Sequence, residues 1–243
     1  MSGTNSSMRF SALTTLGFDA DDTLWHHEQY YQQTQAQIAD ILRDYCAPED
    51  LGERLIETER RNLKLYGYGV KGFVLSTLET ALELTEHKLP SSVTSAIIAM
   101  GQELLQHPLE LLPGAEAALS ALKADFKLVL ITKGDLFDQE RKIALSGLAD
   151  YFAAVEIVPE KTEQTYTRIF NSHGTGASQA AMVGNSLKSD IIPALSAGAF
   201  GIHVPHDVTS ALDHAERPQQ THRFHEISNL NDLPGLIGKL AES

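Results

Sequence analysis

Short apolar segments alternate with longer amphipathic segments along most of the chain. The apolar segments are rich in branched residues, which is typical of strands that are covered on both faces of a parallel sheet. The amphipathic segments are long enough for crossover helices, so the pattern predicts an α/β fold built from βαβ units. The predicted strands are residues 13–20, 126–132, 153–158, 180–184 and 199–204, and the predicted helices are 115–123, 136–147, 162–172 and 187–197.

The alternation is interrupted between about residues 26 and 112, where no strand is predicted. Apolar residues recur there at helical spacing, as in Ile38, Ile41, Leu42 and Tyr45. We therefore expect a helical insert over residues 26–110, carried by an α/β core that consists of residues 8–25 and 111–243.

Three stretches are predicted to be irregular. The glycines of residues 66–72 predict a loop inside the insert. The polar stretch 206–220 predicts a surface loop with a short helix. The first seven residues are predicted to be a flexible tail, with Met8 as a second plausible start.

Composition narrows the range of partners. The 19 basic and 32 acidic residues give a formal charge of −13, which argues against nonspecific binding to nucleic acid and to anionic lipid. A small anionic substrate remains compatible, because a metal ion or a few local donors can reverse the field inside a pocket. No apolar run is long enough for a membrane helix, no signal sequence is evident, and one cysteine excludes an internal disulfide. We therefore expect a cytoplasmic protein, monomeric or homodimeric, that binds a small molecule.

Three carboxylates lie at the end of the first predicted strand, at Asp19, Asp21 and Asp22. Buried carboxylates are costly and repel one another, so a cation or a chemical function is expected to hold them there. Alternation along an extended backbone puts Asp19 and Asp21 on one side, where one can attack while the other handles protons. The alternative is a solvated turn with an acidic helix cap.

Polar residues also follow the later strands. Thr132 and Lys133 end a strand before a helix, where a hydroxyl and free backbone N–H groups can bind an anion. Lys161 follows the next strand, although a lone lysine is usually solvated. Asn185 and Asp190 carry hard oxygen ligands suited to Mg²⁺, although Asp190 can equally be a first-turn helix acid.

The order of these residues resembles the four motifs of the haloacid dehalogenase superfamily, most members of which are Mg²⁺-dependent phosphatases. The first motif is similar to residues 19–23, the second to Thr132, the third to Lys161 and the fourth to residues 184–190. The resemblance implies a Rossmann-like core and makes the helical insert a cap domain. Asn185 departs from the family pattern, in which most phosphatases have aspartate at that position.

The resemblance also implies a role for each residue. Asp19 would be the nucleophile that forms an aspartyl-phosphate, and Asp21 the general acid and base. The implied phosphate-binding residues are Thr132, Lys133 and Lys161, and the implied Mg²⁺ ligands are Asp19, Asp21, Asn185 and Asp190.

The expected activity is therefore hydrolysis of small phosphorylated metabolites with Mg²⁺ as cofactor. Trp25, His26 and Lys71 are candidate substrate residues, against the alternative that they pack within the protein or are solvated. A phosphomutase, a dehalogenase or an inactive binding protein on the same scaffold remain alternatives. Asp21 favours a phosphatase or mutase, because dehalogenases lack that second acid.

Overall fold

The computed structural model describes residues 13–208, 210, 212–219 and 221–241, without the side chain of Glu49. The predicted tail over the first seven residues and the predicted start of the core at Met8 lie outside the described residues. The centre of the fold is a six-stranded parallel sheet in the order β3-β2-β1-β4-β5-β6. Its strands are β1 (Thr15–Phe18), β2 (Lys127–Lys133), β3 (Ala154–Val158), β4 (Ala180–Gly184), β5 (Phe200–His203) and β6 (Phe224–Glu226).

Four helices that follow β1 form the insert, and the others pack around the sheet. The first four are α1 (Glu28–Leu42), α2 (Pro48–Tyr66), α3 (Val70–Leu84) and α4 (Ser91–Gln106). The remaining helices are α5 (Ala115–Leu122), α6 (Leu136–Ser146), α7 (Glu163–His173), α8 (Ile192–Ser196) and α9 (Leu233–Ala241). A π-helical turn, Leu187–Ile191, precedes α8.

These elements confirm the predicted α/β fold with an inserted helical segment. Each predicted strand is present, and the sheet is covered on both faces. One cluster of buried side chains contains Leu16, Leu128 and Leu130, and a second contains Val129 and Ile131. Successive residues of β2 thus enter opposite layers, as a pleated strand requires. Continuous apolar character along the strands follows from that double burial.

The insert has a hydrophobic core of its own. Ile38 and Leu42 of α1 pack with Leu55 of α2, Phe73 of α3 and Ile97 of α4. This separate core agrees with the predicted cap, while the domain boundaries at residues 8–25, 26–110 and 111–243 stay predictions.

Several local predictions differ from the structure. The loop expected over residues 66–72 is shorter, since α2 ends at Tyr66 and α3 begins at Val70. Gly67 and Gly69 make the turn at positive φ, 69° and 103°, which leaves Lys71 helical. The helix expected over 187–197 is divided into the π-helical turn and α8. Among its described residues, 206–220 contains no helix.

The sequence pattern does not predict two of the elements. Strand β6 has only three residues, and only Phe224 among them is buried, so no alternation marks it. Helix α9 follows it at the end of the described chain. None of the described helices has the length and apolar character needed to cross a bilayer, and the cytoplasmic location stays a prediction.

Parallel pairing aligns the carboxyl ends of the central strands. Phe18, the last residue of β1, is in register with Leu130 of β2 and with Val183 of β4. The residues that follow β1, β2, β3 and β4 therefore meet at one edge of the sheet, where open α/β sheets bind ligands.

Candidate active site

Lys161 joins two carboxylates at this edge of the sheet. Its ammonium group contacts Oδ1 of Asp19 and lies 2.7 Å from Oδ1 of Asp190. The side chain of Lys161 is only 2% exposed, so this charge is neutralised by its two partners rather than by water. The sequence alternative of a solvated lysine is therefore excluded.

Two features of the neighbouring chain allow Asp190 to occupy this position. Its Oδ2 accepts a hydrogen bond of 2.9 Å from the backbone N–H of Ser186. A Cβ at Gly184 would lie 2.3 Å from that same oxygen, so the close approach requires glycine. Asp190 is thus a buried member of the site and more than a first-turn helix acid.

Asp19 is a buried carboxylate whose ionised form is not fully compensated by the positive charge of Lys161. Burial and the charge of Asp190 raise the pKa of Asp19 above its usual range, against the opposing effect of Lys161. Its second oxygen, Oδ2, accepts a hydrogen bond of 3.0 Å from the Thr23 hydroxyl. Further positive charge near this carboxylate would favour its ionised form.

Asp21 is held in the opposite state by a set of donors. Nζ of Lys142 lies 2.7 and 2.8 Å from its two oxygens, and Nε2 of Gln139 lies 2.8 Å from Oδ2. Nε1 of Trp25 donates to Oδ1 at 2.7 Å. Burial opposes ionisation of Asp21, but His27, Lys142 and Gln139 together hold its pKa well below the usual range. This carboxylate is therefore an anion at neutral pH.

Asp22, the third carboxylate of the cluster, has a structural role. Asp22 accepts hydrogen bonds from the backbone N–H groups of His27, at 2.8 Å, and Glu28, at 3.0 Å, where α1 begins. Asp22 therefore fits the alternative of an acidic helix cap, whereas Asp19 and Asp21 do not.

Two residues of α6 were not predicted as part of the site. Gln139 and Lys142 lie 118 and 121 positions from Asp21 in sequence, and only tertiary packing brings them together. No sequence signal distinguishes them, because a lysine on an amphipathic helix is ordinarily solvated. Asp135, before α6, accepts a hydrogen bond of 3.0 Å from the backbone of Asp138 and caps that helix.

The donors present fit Mg²⁺. Asp19, Asn185 and Asp190 offer hard oxygens around a single lysine, and Oγ1 of Thr23, beside Asp19, lies 3.2 Å from Oδ1 of Asn185. The described residues contain no group of three or more His, Cys, Asp and Glu side chains arranged to hold a metal ion. An ion here would consequently need the Asn185 amide oxygen and backbone oxygens, such as that of Asp21, beside the carboxylates.

Lys133 is already occupied by protein groups. Its Nζ lies 2.8 Å from Oγ of Ser189 and 2.7 Å from Oδ1 of Asp213, and it stands 4.2 Å from the centre of the Tyr68 ring. Thr132, the preceding residue, is buried. Both residues line the cavity described next, where the contacts of Lys133 leave it less available to an anion than a free lysine would be.

A cavity of about 300 Å³ opens between the sheet edge and the helical insert. The structure brings most predicted site residues into its lining: Asp19, Asp21, Thr132, Lys133, Lys161, Asn185 and Asp190. Trp25, His26 and Lys71, the three predicted substrate residues, lie outside this lining.

The surroundings of these three residues explain their positions. Trp25 is 1% exposed and donates its indole N–H to the carboxylate of Asp21. The His26 ring packs against His206, with 5.7 Å between centres. Lys71 is on the surface, 3.0 Å from both oxygens of Asp135.

Comparison with known proteins identifies the family. The family model for haloacid dehalogenase-like hydrolases matches residues 13–198. The chain belongs to this family. A haloacid dehalogenase-like family hydrolase from Xanthomonas campestris is 41% identical to it, with 95% of this chain and 93% of that chain covered and a TM-score of 0.83. The protein is therefore a hydrolase, and its fold is that of the family.

Two curated relatives of the hydrolase have phosphatase names. It is 28% identical over 136 residues to the pyrimidine 5'-nucleotidase YjjG of Escherichia coli, which covers 53% of this chain and 57% of that protein. It is 32% identical over 99 residues to the N-acylneuraminate-9-phosphatase of Homo sapiens, which covers 39% of this chain and 40% of that protein. The chain thus spans about half the length of the curated relatives it matches.

More distant structures share the fold alone. The HAD-hydrolase YfnB of Bacillus subtilis, solved bound to magnesium, is 19% identical with a TM-score of 0.63, over 93% of this chain and 99% of that one. The L-2-haloacid dehalogenase of Xanthobacter autotrophicus is 18% identical with a TM-score of 0.61, over 93% and 98%.

The Lys142–Asp21 pair yields a stability prediction. Lys142→Met leaves Asp21 as a largely buried anion without its closest cation, since the two side chains are only 10% and 18% exposed. We expect the free energy of unfolding at pH 7 to fall by about 3 kcal/mol in urea titrations. Because the pKa of Asp21 is depressed in the fold, this difference is fully present above the unfolded pKa of about 4 and is lost as pH falls below it.

Two further variants check the cause. Lys64→Met removes an exposed lysine from α2 and should change the free energy of unfolding by less than about 0.5 kcal/mol. In the double variant, Asp21→Asn should restore part of the loss caused by Lys142→Met. Equal losses for Lys64→Met and Lys142→Met would contradict the assigned charge pairing.

Proposed function

We propose that this hydrolase is a Mg²⁺-dependent phosphatase that cleaves small phosphorylated metabolites through an aspartyl-phosphate on Asp19. The observation that carries the proposal is the pair Asp19 and Asp21, which line one cavity in opposite electrostatic states. One carboxylate is placed to attack and the other to exchange protons. The phosphatase names of two relatives support the same reaction class.

Asp19 acts as the nucleophile of the first step. A carboxylate oxygen forms a bond to phosphorus while the bond from phosphorus to the ester oxygen breaks, which gives an acyl-phosphate and a free alcohol. Thr23 and Lys161 each bond to the Asp19 carboxylate and so restrict its rotation. Lys161 also offsets the negative charge that accumulates as the phosphoryl group approaches.

Asp21 manages the protons of both steps. The donors around Asp21 stabilise its anionic form. In that form it can take a proton from the water that attacks the aspartyl-phosphate. In the first step it must deliver a proton to the leaving oxygen. Protonation weakens the charge-assisted bond to Lys142, so the acid form of Asp21 is expected to release that lysine.

The remaining residues bind phosphate and metal. The Thr132 hydroxyl and Lys161 would contact the nonbridging oxygens, with Lys133 at the rim. Asp19, the Asp21 backbone carbonyl, Asn185 and Asp190 would hold Mg²⁺. When bound, Mg²⁺ supplies positive charge that reduces repulsion between the anionic nucleophile and the anionic ester.

The donors around Asp21 argue against a dehalogenase. A departing halide needs no proton, so a dehalogenase would have no use for a second carboxylate held by Lys142, Gln139 and Trp25. Dehalogenase structures resemble this chain at 18% to 21% identity, a likeness that shows the fold alone. We therefore favour phosphate ester hydrolysis.

Removal of the nucleophile tests the proposal. Phosphate release is measured from a panel of phosphorylated metabolites and an aryl phosphate, with Mg²⁺ and with a chelator. Asp19→Asn should lower turnover roughly 10³-fold or more, about 4 kcal/mol of barrier, because an amide cannot form the acyl-phosphate. Asp125→Asn, an exposed aspartate changed in the same way, should retain full activity.

Three results would contradict the phosphatase assignment. Full turnover in Asp19→Asn would remove that residue from the chemistry. Phosphate transfer between two positions of a sugar, without release, would indicate a mutase. Halide release from 2-chloropropionate with no action on any ester would indicate a dehalogenase.

The acid role of Asp21 predicts a dependence on the leaving group. In single-turnover experiments, Asp21→Asn should slow release of an alkyl alcohol by about 10² or more. Release of 4-nitrophenol, which departs without a proton, should slow by less than about tenfold. Single-turnover alcohol release isolates the first step from the later attack of water. Equal losses on both esters would show that Asp21 is not the acid.

The metal assignment predicts an effect of charge at position 185. Asn185→Asp adds a negative charge to the ligand set and should tighten Mg²⁺ binding about tenfold in isothermal titration calorimetry. Asn171→Asp, at an exposed position, should leave the affinity unchanged. An unchanged affinity in Asn185→Asp would place residue 185 outside the metal ligands.

A further inference from the structure

Positive charge in the active-site cavity comes from one side only. The lysines in the lining are Lys133, Lys142 and Lys161, all from the sheet side of the cavity. Each is already paired with a carboxylate of that side: Lys133 with Asp213, Lys142 with Asp21, and Lys161 with Asp19 and Asp190. The sheet side is therefore suited to the phosphoryl group and to Mg²⁺.

The insert contributes the opposite kind of surface. The part of the lining that comes from α1, α2, α3 and the turn between them contains no lysine or arginine. It contains two carboxylates, Glu28 and Glu59. The other polar side chains there are uncharged: Tyr31, Gln32, Gln35, Asn62, Tyr68 and Ser76.

Glu59 has no compensating partner in the described part of the chain. Its carboxylate forms no hydrogen bond or ion pair there, and burial raises its pKa to about 7. The charge of Glu59 acts on Glu28, whose pKa is raised to about 8 by burial, by Asp22 and then by Glu59. Above pH 7, where Glu59 is increasingly ionised, these two carboxylates of one cavity would be stabilised by a donor or a cation and destabilised by a further anion.

Tyr31 supplies an independent sign that something binds here. Its ring lies 4.7 Å from His27 and 5.2 Å from Phe73, centre to centre, and its residue lines the cavity. Its hydroxyl is buried without a hydrogen-bond partner among the described residues, and Glu28 and Glu59 both act on it electrostatically. An unsatisfied buried hydroxyl costs free energy that a hydrogen-bonding ligand would recover.

We infer that Glu59, with Glu28 and Tyr31, forms a leaving-group subsite that rejects anionic groups and accepts uncharged or cationic hydrogen-bond donors. The inference rests on the proposed phosphatase function and specifies its substrate class. The favoured substrates are phosphate monoesters of an amine-bearing or hydroxyl-bearing group. The disfavoured substrates carry a carboxylate or a second phosphate on the leaving group.

The subsite distinguishes the substrates named for the two curated relatives. A pyrimidine nucleoside leaving group is uncharged at neutral pH and presents hydroxyl and N–H donors. An N-acylneuraminate leaving group carries a carboxylate, which would meet Glu28 and Glu59 at the insert side of the cavity. The inference therefore favours the nucleoside phosphate over the neuraminate phosphate for this chain.

Three small esters of similar size provide the test. Phosphoethanolamine has a cationic leaving group, glycerol 1-phosphate an uncharged one and 3-phosphoglycerate a carboxylate. At pH 8, kcat/KM of the wild type for 3-phosphoglycerate should be at least about tenfold below the other two. Esters that turn over too slowly are ranked by their inhibition constants against aryl phosphate hydrolysis.

A matched pair of variants assigns the discrimination to one residue. Glu59→Gln keeps the shape of the side chain but removes its charge, so it should improve kcat/KM for 3-phosphoglycerate about tenfold and weaken that for phosphoethanolamine. Glu57→Gln makes the same change at an exposed position of α2 and should leave the ratio unchanged. Aryl phosphate turnover should stay within about twofold in Glu57→Gln, and measurable aryl phosphate turnover by Glu59→Gln shows that the machinery is intact.

The outcomes separate this inference from the proposed function. No release from any ester, aryl phosphate included, would overturn the phosphatase function and this inference with it. Aryl phosphate turnover with equal use of all three esters would overturn the subsite alone. The subsite would also be overturned if Glu59→Gln left the ratio of kcat/KM between the esters unchanged, or if Glu57→Gln shifted that ratio by the same amount.

Discussion

The ion triad of Lys161, Asp19 and Asp190 is the constraint on which the rest of the site depends. These three charges are buried, and removal of the lysine would leave two carboxylates facing each other without water. They come from the ends of three strands or from the turns that follow them, and the parallel sheet in this register brings them together. The position of the site is thus a consequence of the sheet topology.

Asp19 and Asp21 show how environment divides two identical side chains into two roles. They stand two positions apart, yet burial and Asp190 raise the pKa of one, while Lys142, His27 and Gln139 lower that of the other. Pairs of carboxylates driven apart in this way are common where one group attacks and the other transfers protons. The division arises from α6 on one side and from burial beside Asp190 on the other, since the local sequence treats both residues alike.

The sequence predicts the parts of this arrangement that depend on local pattern. Double burial makes the central strands continuously apolar, and the chain order of acid, hydroxyl, lysine and amide follows from the strand ends. The sequence does not predict Gln139 and Lys142, because their role depends on a contact that spans more than 100 positions. It places Trp25 beside the substrate, whereas the structure turns its indole N–H toward Asp21. The edge strand β6 is not predicted, because three residues are too few to show the alternation of buried and exposed positions.

The negative net charge of the chain can be related to the charged residues that line the cavity. A chain with a formal charge of −13 repels a phosphate dianion at long range, so under the proposed function attraction would come from short-range contacts with paired lysines and a metal ion. Those contacts would reach the phosphoryl group but not the leaving group, on whose side Glu28 and Glu59 line the cavity without a partner lysine. A second anionic group on the substrate would therefore add repulsion that nothing in the described lining offsets. Selection against such a group would come from the carboxylates of the insert. The phosphate contacts, which are common to every ester, would supply affinity without specificity.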